Sequence, residues 1–357
     1  MDSHVHMIEL GMSNLERSRY LSARAEINKQ ASQLQEEARK RAKQQICPVC
    51  KKLCAGFCKS HSVPKTFIKR IAVDGKVYFG GLQKELPFFG ADCGVNDAGT
   101  FQIICRECDS RIFQKYENQN TYATGKLDGS VLAQIAMKNY LQMISKRLQE
   151  GAINDIMLET HPFYNDAQEQ IPIDLAEYYR GFNRAKLACT GHHEDWYHLF
   201  YYEHLDYVVP IAMQSLLSLI VDFEGNVIND VFNMRPEYPI QPIHLAVFPL
   251  KQSSVIIMFR DSREKRCRKF VQQLNKLDHA DQLATINYLI FAYCENNFIS
   301  KNVGSEVFDN ENFKKVCRKY PHFCADQPFD PLAEAVLAYN LDERRTIPNL
   351  LDRRYAI

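Results

Sequence analysis

The sequence predicts an α+β fold in three parts. A long N-terminal helix is followed by a small cysteine-rich segment and then by a larger, mostly helical C-terminal region with a β-hairpin. Three observations predict it. Residues 13–46 contain neither Gly nor Pro, so nothing in them interrupts a helix. Residues 47 to about 120 are rich in Cys, Gly and short apolar runs, a pattern of turns and short strands around a fixed centre. Residues 121–357 mix helical stretches with two β-rich runs. At 357 residues, 46% of them hydrophobic and 24% charged, the chain can bury a sizeable core and fits about two domains.

The N-terminal helix can be capped by Ser13 or Asn14, with Glu16 in its first turn. Ile27, Ala31, Leu34 and Ala38 follow a 4-3-4 spacing, a short heptad-like seam. So narrow and alanine-rich a seam suits either a helix lying on its own protein or a contact in a homodimer or complex. In the next segment, Val73–Phe79 reads as a hairpin on an Asp74-Gly75 turn. Five glycines between residues 80 and 100 mark a loop, and Phe101–Ile104 is a short strand entering Cys105. Asp109–Glu117 reads as a helix with Ile112, Phe113 and Tyr116 on one apolar face.

In the C-terminal region helices are expected near 130–149, 174–188, 196–221, 263–276 and 281–295. Ile243–Phe248 and Ser254–Phe259 form an expected antiparallel hairpin. Gly191-His192-His193-Glu194-Asp195 is dense in metal-capable side chains but does not reproduce H-E-x-x-H. It reads as a polar helix start before an aromatic core stripe. Glu295–Ser300 could cap a helix end or line a binding surface, with capping the default reading. No P-loop, dinucleotide fingerprint or nucleophile elbow is present.

The N-terminal residues hold no continuous apolar stretch. The longest uncharged apolar run, Tyr207–Val221, contains Pro210 and Gln214 and falls short of the roughly 20 residues of a membrane span. A cytoplasmic protein without a membrane segment is therefore expected. Thiols stay reduced there, so the clustering of seven of the twelve cysteines within residues 47–108 points to metal rather than disulfides. Cys47-Pro-Val-Cys50 and Cys105-Arg-Glu-Cys108 are two C-x-x-C pairs. Each presents two thiolates from a tight turn, and two pairs complete a tetrahedral, structural Zn²⁺ site. Cys54 and Cys58 are spare candidates for a ligand position or small buried side chains. The 54-residue spacer between the pairs means that further structure is built between them.

Within that spacer lies Ser60-His61-Ser62-Val63-Pro64-Lys65, and Cys108 is followed by Asp109 and the stretch SRIFQKYE. The order C-x-x-C, x-His-x-x-Pro, C-x-x-C and a metal-capable residue resembles the HNH endonucleases. Those have a ββα-metal fold, often clamped by four cysteines. The resemblance covers about 75 residues and implies the following roles. His61, on the first strand of the hairpin, matches the general base that takes a proton from the attacking water. Asp109, matching the first residue of the family's helix, would bind the catalytic Mg²⁺ or Mn²⁺. Two positions depart from the family pattern: Ser60 stands where an acidic residue is common, and Phe113 where a second helical ligand is usual. Glu117 lies about 80° from Asp109 around a straight helix and two turns along, which suits a salt bridge better than the same metal.

Charge sharpens the reading. The net charge is only +1, which excludes a histone-like, polyanion-coating protein. Yet residues 38–73 hold no acidic residue and ten basic ones. These are Arg39, Lys40, Arg41, Lys43, Lys51, Lys52, Lys59, Lys65, Lys69 and Arg70, which leaves the rest of the chain at −9. The block straddles His61 and supplies a nucleic-acid track, with Lys51, Lys52, Lys59, Lys65, Lys69 and Arg70 as phosphate contacts. The reading that follows is a metal-dependent HNH-type endonuclease hydrolysing DNA, with RNA left open. The C-terminal region would regulate it, as in bacterial anti-phage defence effectors of similar layout. The alternatives are a non-catalytic zinc module that binds nucleic acid and assembles a complex, and an interaction protein that the zinc merely braces.

Overall fold

The computed structural model describes residues 14–80, 92–123, 125, 127–160, 169–191, 194–319 and 330–357. Of α1 (Asn14–Arg41), it describes the backbone throughout and the side chains from Lys29 on, with Glu26. Next come β1 (Ser60–His61), α2 (Lys65–Ile71), β2 (Lys76–Phe79), β3 (Asp92–Gly94) and β4 (Thr100–Phe101). The helices α3 (Arg106–Ile112), α4 (Gln114–Glu117), α5 (Gly129–Thr160) and α6 (Gln170–Thr190) precede β5 (Tyr197–Leu205) and β6 (Ile211–Leu217). Then follow β7 (Ile243–Pro249), β8 (Ser254–Asp261), α7 (Arg268–Leu274), α8 (His279–Tyr293) and β9 (Asn297–Ile299). Three short helices, α9 (Ser305–Asp309), α10 (Glu311–Cys317) and α11 (Pro331–Ala338), lie toward the C-terminus. The fold is α+β.

Among the described residues, seven strands form one sheet in the order β3-β2-β9-β6-β7-β8-β5, and every neighbouring pair is antiparallel. The central strands β6, β7 and β8 are buried at every residue, so both faces of the sheet are covered. Alternation along the strands divides the core in two. Ile243, Leu245 and Val247 face a core built with α8, whereas Ala246 and Phe248 face α2, α5 and the cysteine segment. The β7–β8 hairpin matches the expectation.

Three expectations are corrected. Residues 196–221 are two strands, β5 and β6, rather than a helix. Tyr197, Tyr201 and Leu205 are buried four residues apart, a spacing that a helix satisfies. A strand satisfies it too, and a bulge between Leu199 and Tyr201 shifts the register. Aromatic residues favour a pleated surface, and β8 pairs with β5 along its whole length. Residues 295–300 are not a helix cap; they carry β9, which enters the sheet between β2 and β6. The turn at Asp74-Gly75 forms, with positive φ at both residues (51° and 72°), as a primed turn requires. Its own hairpin is a single Val73–Lys76 bridge, because β2 pairs instead with β3 and β9. Residues 81–91 of the expected glycine loop lie outside the described residues.

The cysteine segment therefore shares both sheet and core with the rest of the chain. Phe67 of α2 stacks on Phe248 of β7 at 4.5 Å between ring centroids, and Tyr122 meets the same ring edge-on at 5.6 Å. Phe248→Ala is predicted to cost about 3–5 kcal/mol, the usual range for a buried aromatic. A urea midpoint lowered at constant slope would show it; a midpoint within error of wild type would remove this contact from the account.

The expected N-terminal helix forms and lies against α5. Ala38 is buried and Leu34 half-buried, while Ala31 is exposed; the Ile27 side chain lies outside the described residues, as does Ser13. Arg41 donates to both carboxylate oxygens of Glu159, at 2.6 and 3.1 Å. No described helix is long and apolar enough to cross a membrane.

His244 gives the core a pH signature. It is fully buried, stacks on Phe259 at 4.6 Å and pairs through Nδ1 with Asn139 Nδ2 at 3.1 Å. Burial holds its pKa down to about 3, so the folded protein keeps it neutral. The unfolded chain takes up a proton below the ordinary value of about 6.5. The sign is therefore loss of stability as pH falls from 6.5 toward 3, by up to about 1.4 kcal/mol per pH unit from this residue. His244→Gln should flatten that slope in urea titrations between pH 6.5 and 4; an unchanged slope would assign the acid sensitivity elsewhere.

Candidate metal centre and the histidine strand

Cys47 and Cys50 sit on a tight turn. Lys51 follows with φ of 60°, its N–H bonded to the Cys47 carbonyl at 2.9 Å. The Cys47 N–H in turn donates to the Lys52 carbonyl at 3.0 Å, which folds the chain back on itself and points both sulfurs inward. Cys105 is the N-cap of α3, and Cys108 lies in that helix's first turn. The four Sγ atoms all lie within 4.8 Å of one another, with Cys50 and Cys105 at 3.9 Å. A tetrahedral Zn²⁺ with Zn–S of ~2.3 Å sets sulfurs ~3.8 Å apart, so the donor set suits zinc. These four form a metal-capable cluster; Cys54 and Cys58 do not join it. The Cys54 thiol faces the Lys52 carbonyl at 3.4 Å and that of Cys58 the Ile104 carbonyl at 3.2 Å. Burial pushes the Cys58 thiol up to about 11, which keeps it an S–H donor.

The strand carrying His61 starts two residues after Cys58. β1 pairs with β4, Ser60 opposite Phe101 and His61 opposite Thr100. The ribbon closes tightly at Gly99, whose φ is +61° and where a Cβ would come 2.4 Å from Ser62 Oγ. His61 is half-buried, and its Nε2 lies 3.0 Å from the Val95 carbonyl. A carbonyl only accepts, so Nε2 carries the proton and Nδ1 keeps its lone pair. Burial lowers the His61 pKa, and the charges of Lys65 and Lys138 add to that effect, while the Val95 carbonyl opposes it. The imidazole is thus a neutral base at pH 7.

Asp109 is the fourth residue of α3 rather than its first, because the helix begins at Arg106 behind the Cys105 cap. Its Oδ1 accepts from Ser60 Oγ at 2.6 Å and from Lys138 Nζ at 2.9 Å. Lys138, on α5, is 1% exposed. Its ammonium also donates to Ser60 Oγ at 2.9 Å, lies 3.4 Å from Glu117 Oε1 and sits 3.7 Å from the centroid of the Phe113 ring. The expected helix 109–117 is broken at Phe113 (φ −94°, ψ 2°), and this break brings Glu117 to the same cation as Asp109. Glu117 thus makes the salt bridge expected of it. Phe113 is fully buried under the ammonium, which is its structural role.

No protein-family model, curated protein or solved structure matches the chain.

The site is therefore read from its own geometry. Around it, Lys51, Lys52, Lys59, Lys69 and Arg70 are exposed and Lys65 half-buried. Lys59 is bound to Asp97 at 2.9 Å, and Arg70 donates to Gln119 at 3.2 Å. Among the described residues, Lys51, Lys52, Lys65 and Lys69 form no salt bridge. His192 and His193 lie outside the described residues, and the residues after them form β5 rather than a helix.

Lys138 was missed as a site residue, although a signal was present. It is the only charge between Val131 and Ser145 in a strongly apolar run, and a charge buried on a core face must find a partner. A buried polar chain was missed as well. Ser62 Oγ donates to Asn296 Oδ1 at 2.7 Å, and Asn296 Nδ2 to the Gln214 carbonyl at 2.8 Å. Gln214 Nε2 donates to Asn139 Oδ1 at 2.9 Å, and Asn139 reaches His244. The chain keys the His61 strand to β9, β6, α5 and β7. Ser62→Ala should cost about 1–3 kcal/mol by leaving Asn296 Oδ1 buried and unpaired, read as a lowered melting temperature; an unchanged one would mean Asn296 repairs the bond elsewhere.

Proposed function

We propose that the chain is an endonuclease acting on nucleic-acid phosphodiester bonds, with His61 as general base and zinc as the structural clamp of its ribbon and helix. The observation that supports this best is the His61 ring. It is neutral, its Nε2–H is held by the Val95 carbonyl, and its strand lies between Lys59, which is paired with Asp97, and Lys65, which forms no salt bridge among the described residues. Nδ1 takes a proton from water as the water oxygen attacks phosphorus in line, the opposite P–O bond to the leaving sugar oxygen breaks, and that oxygen leaves as an alcohol after taking a proton from solvent. Lys51, Lys52, Lys65 and Lys69 hold substrate phosphates by charge. DNA is the proposed substrate, and the C-terminal region the proposed regulator of access. The metal dependence expected from the resemblance is not carried forward, because the Lys138 ammonium holds the carboxylates that would bind the ion.

A second reading is a non-catalytic zinc module that binds nucleic acid. It is favoured by the burial of Lys138 against Asp109, which gives that carboxylate a purely structural occupation. Nicking of supercoiled plasmid by the zinc-loaded chain, measured beside DNA binding at 50 and 200 mM salt, separates the two. Cleavage that His61→Ala abolishes supports the enzyme. Salt-sensitive binding with no cleavage selects the module. Absence of DNA affinity at low salt removes both.

A further inference from the structure

We infer that the ammonium of Lys138 occupies the place of a divalent cation between Asp109 and Glu117, so that this site takes up neither Mg²⁺ nor Mn²⁺. For its activity the inference rests on the proposed nuclease; for its binding chemistry it stands alone.

The donor set makes the argument. A hard dication such as Mg²⁺ needs near-octahedral oxygen coordination and pairs best with carboxylates that carry uncompensated charge. Here one carboxylate oxygen of Asp109 already accepts two hydrogen bonds, from Lys138 and Ser60. The two positions at which more ligands would be expected are Ser60, whose hydroxyl is used by the same bonds, and Phe113, which offers a ring face. That ring face suits the ammonium, since a cation 3.7 Å from an aromatic centroid is attracted by the ring quadrupole. Two acidic side chains, one hydroxyl and one ring thus enclose a single positive charge that is 1% exposed. A dication arriving beside it would face like-charge repulsion from that buried ammonium, although the carboxylates themselves are partly exposed (24% for Asp109, 40% for Glu117). Lys138 does not reach substrate, being buried. It is a positioning residue: it fixes Ser60, hence the strand on which His61 stands, and does so permanently where an exchangeable ion would do so only when bound.

Removing the amine should then uncover a metal site. Titrating Mn²⁺ into the zinc-loaded full chain, followed by the loss of its free-ion paramagnetic resonance signal, reads this directly. Wild type is expected to bind no Mn²⁺ that Asp109→Asn removes. Lys138→Ala, which leaves both carboxylates and room for an ion with water, is expected to gain one Mn²⁺ at least tenfold tighter than any wild-type site. Lys138→Ala/Asp109→Asn should lose it again. Wild-type Mn²⁺ binding that Asp109→Asn abolishes would overturn the inference, as would a folded Lys138→Ala that gains none. Should Lys138→Ala fail to fold, wild type against Asp109→Asn still decides. Plasmid cleavage, if present, should persist in divalent-free buffer with zinc retained, and dependence on added Mg²⁺ would count against the inference. A chain that never cleaves would remove the nuclease reading and leave the Mn²⁺ result standing.

Discussion

Cys105→Ser is expected to unfold the cysteine segment and, with it, one side of the sheet. The substitution removes one of four thiolates and the sulfur that caps α3. Structural zinc contributes on the order of 10–16 kcal/mol of apparent binding free energy at pH 7, whereas a whole domain is stable by only about 5–15 kcal/mol. Losing even part of the zinc term is therefore decisive. The damage should not stay local. Val63, Phe67 and Ile68 share a core with Phe248 and Phe298 of the sheet, and β2 and β3 are sheet strands. Loss of zinc by metal analysis, a collapsed near-ultraviolet signal and a melting temperature lower by tens of degrees are the expected set, and chelation of wild type should reproduce it. A Cys105→Ser protein that melts with wild type would mean that the four sulfurs do not hold the fold.

The second large effect is on turnover. If the proposed nuclease reading holds, His61→Ala should lower phosphodiester cleavage by about 10²–10⁴-fold, the usual contribution of general base catalysis. Folding should suffer little, since the ring is half-buried and makes one hydrogen bond, worth about 1 kcal/mol. The pH profile carries a further check. The His61 pKa lies below its ordinary value, and only the neutral ring accepts a proton. Cleavage should therefore be flat across neutral pH and fall only below about 6.5. A rate that climbs steeply between pH 7 and 9 would point to a different base, and equal rates for wild type and His61→Ala would sink the assignment.

What was legible in the chain followed how local each feature is. The four-cysteine, metal-capable cluster could be read because each pair carries its own turn, and the β7–β8 hairpin because both strands lie within twenty residues. Strand β5 was not, because its aromatic spacing suits two periods and its partner β8 is about sixty residues away. The same limit hid the Lys138 cluster. Its partners Asp109 and Glu117 come from helices whose break at Phe113 is a packing event, and a straight-helix projection places them apart. Asp109 itself could be named, but not its neighbours, and the neighbours change its chemistry from open ligand to paired anion.

The shared sheet bears on inheritance. β2 lies between β3 of its own segment and β9, so residues 47–120 would expose an unpaired strand if cut out. Phe67 must match Phe248 in size, and Ser62 must match Asn296 in hydrogen bonding. This cysteine segment is thus a poor cassette for recombination. Among homologous chains, paired substitution should concentrate across these joints, and the two halves should descend together.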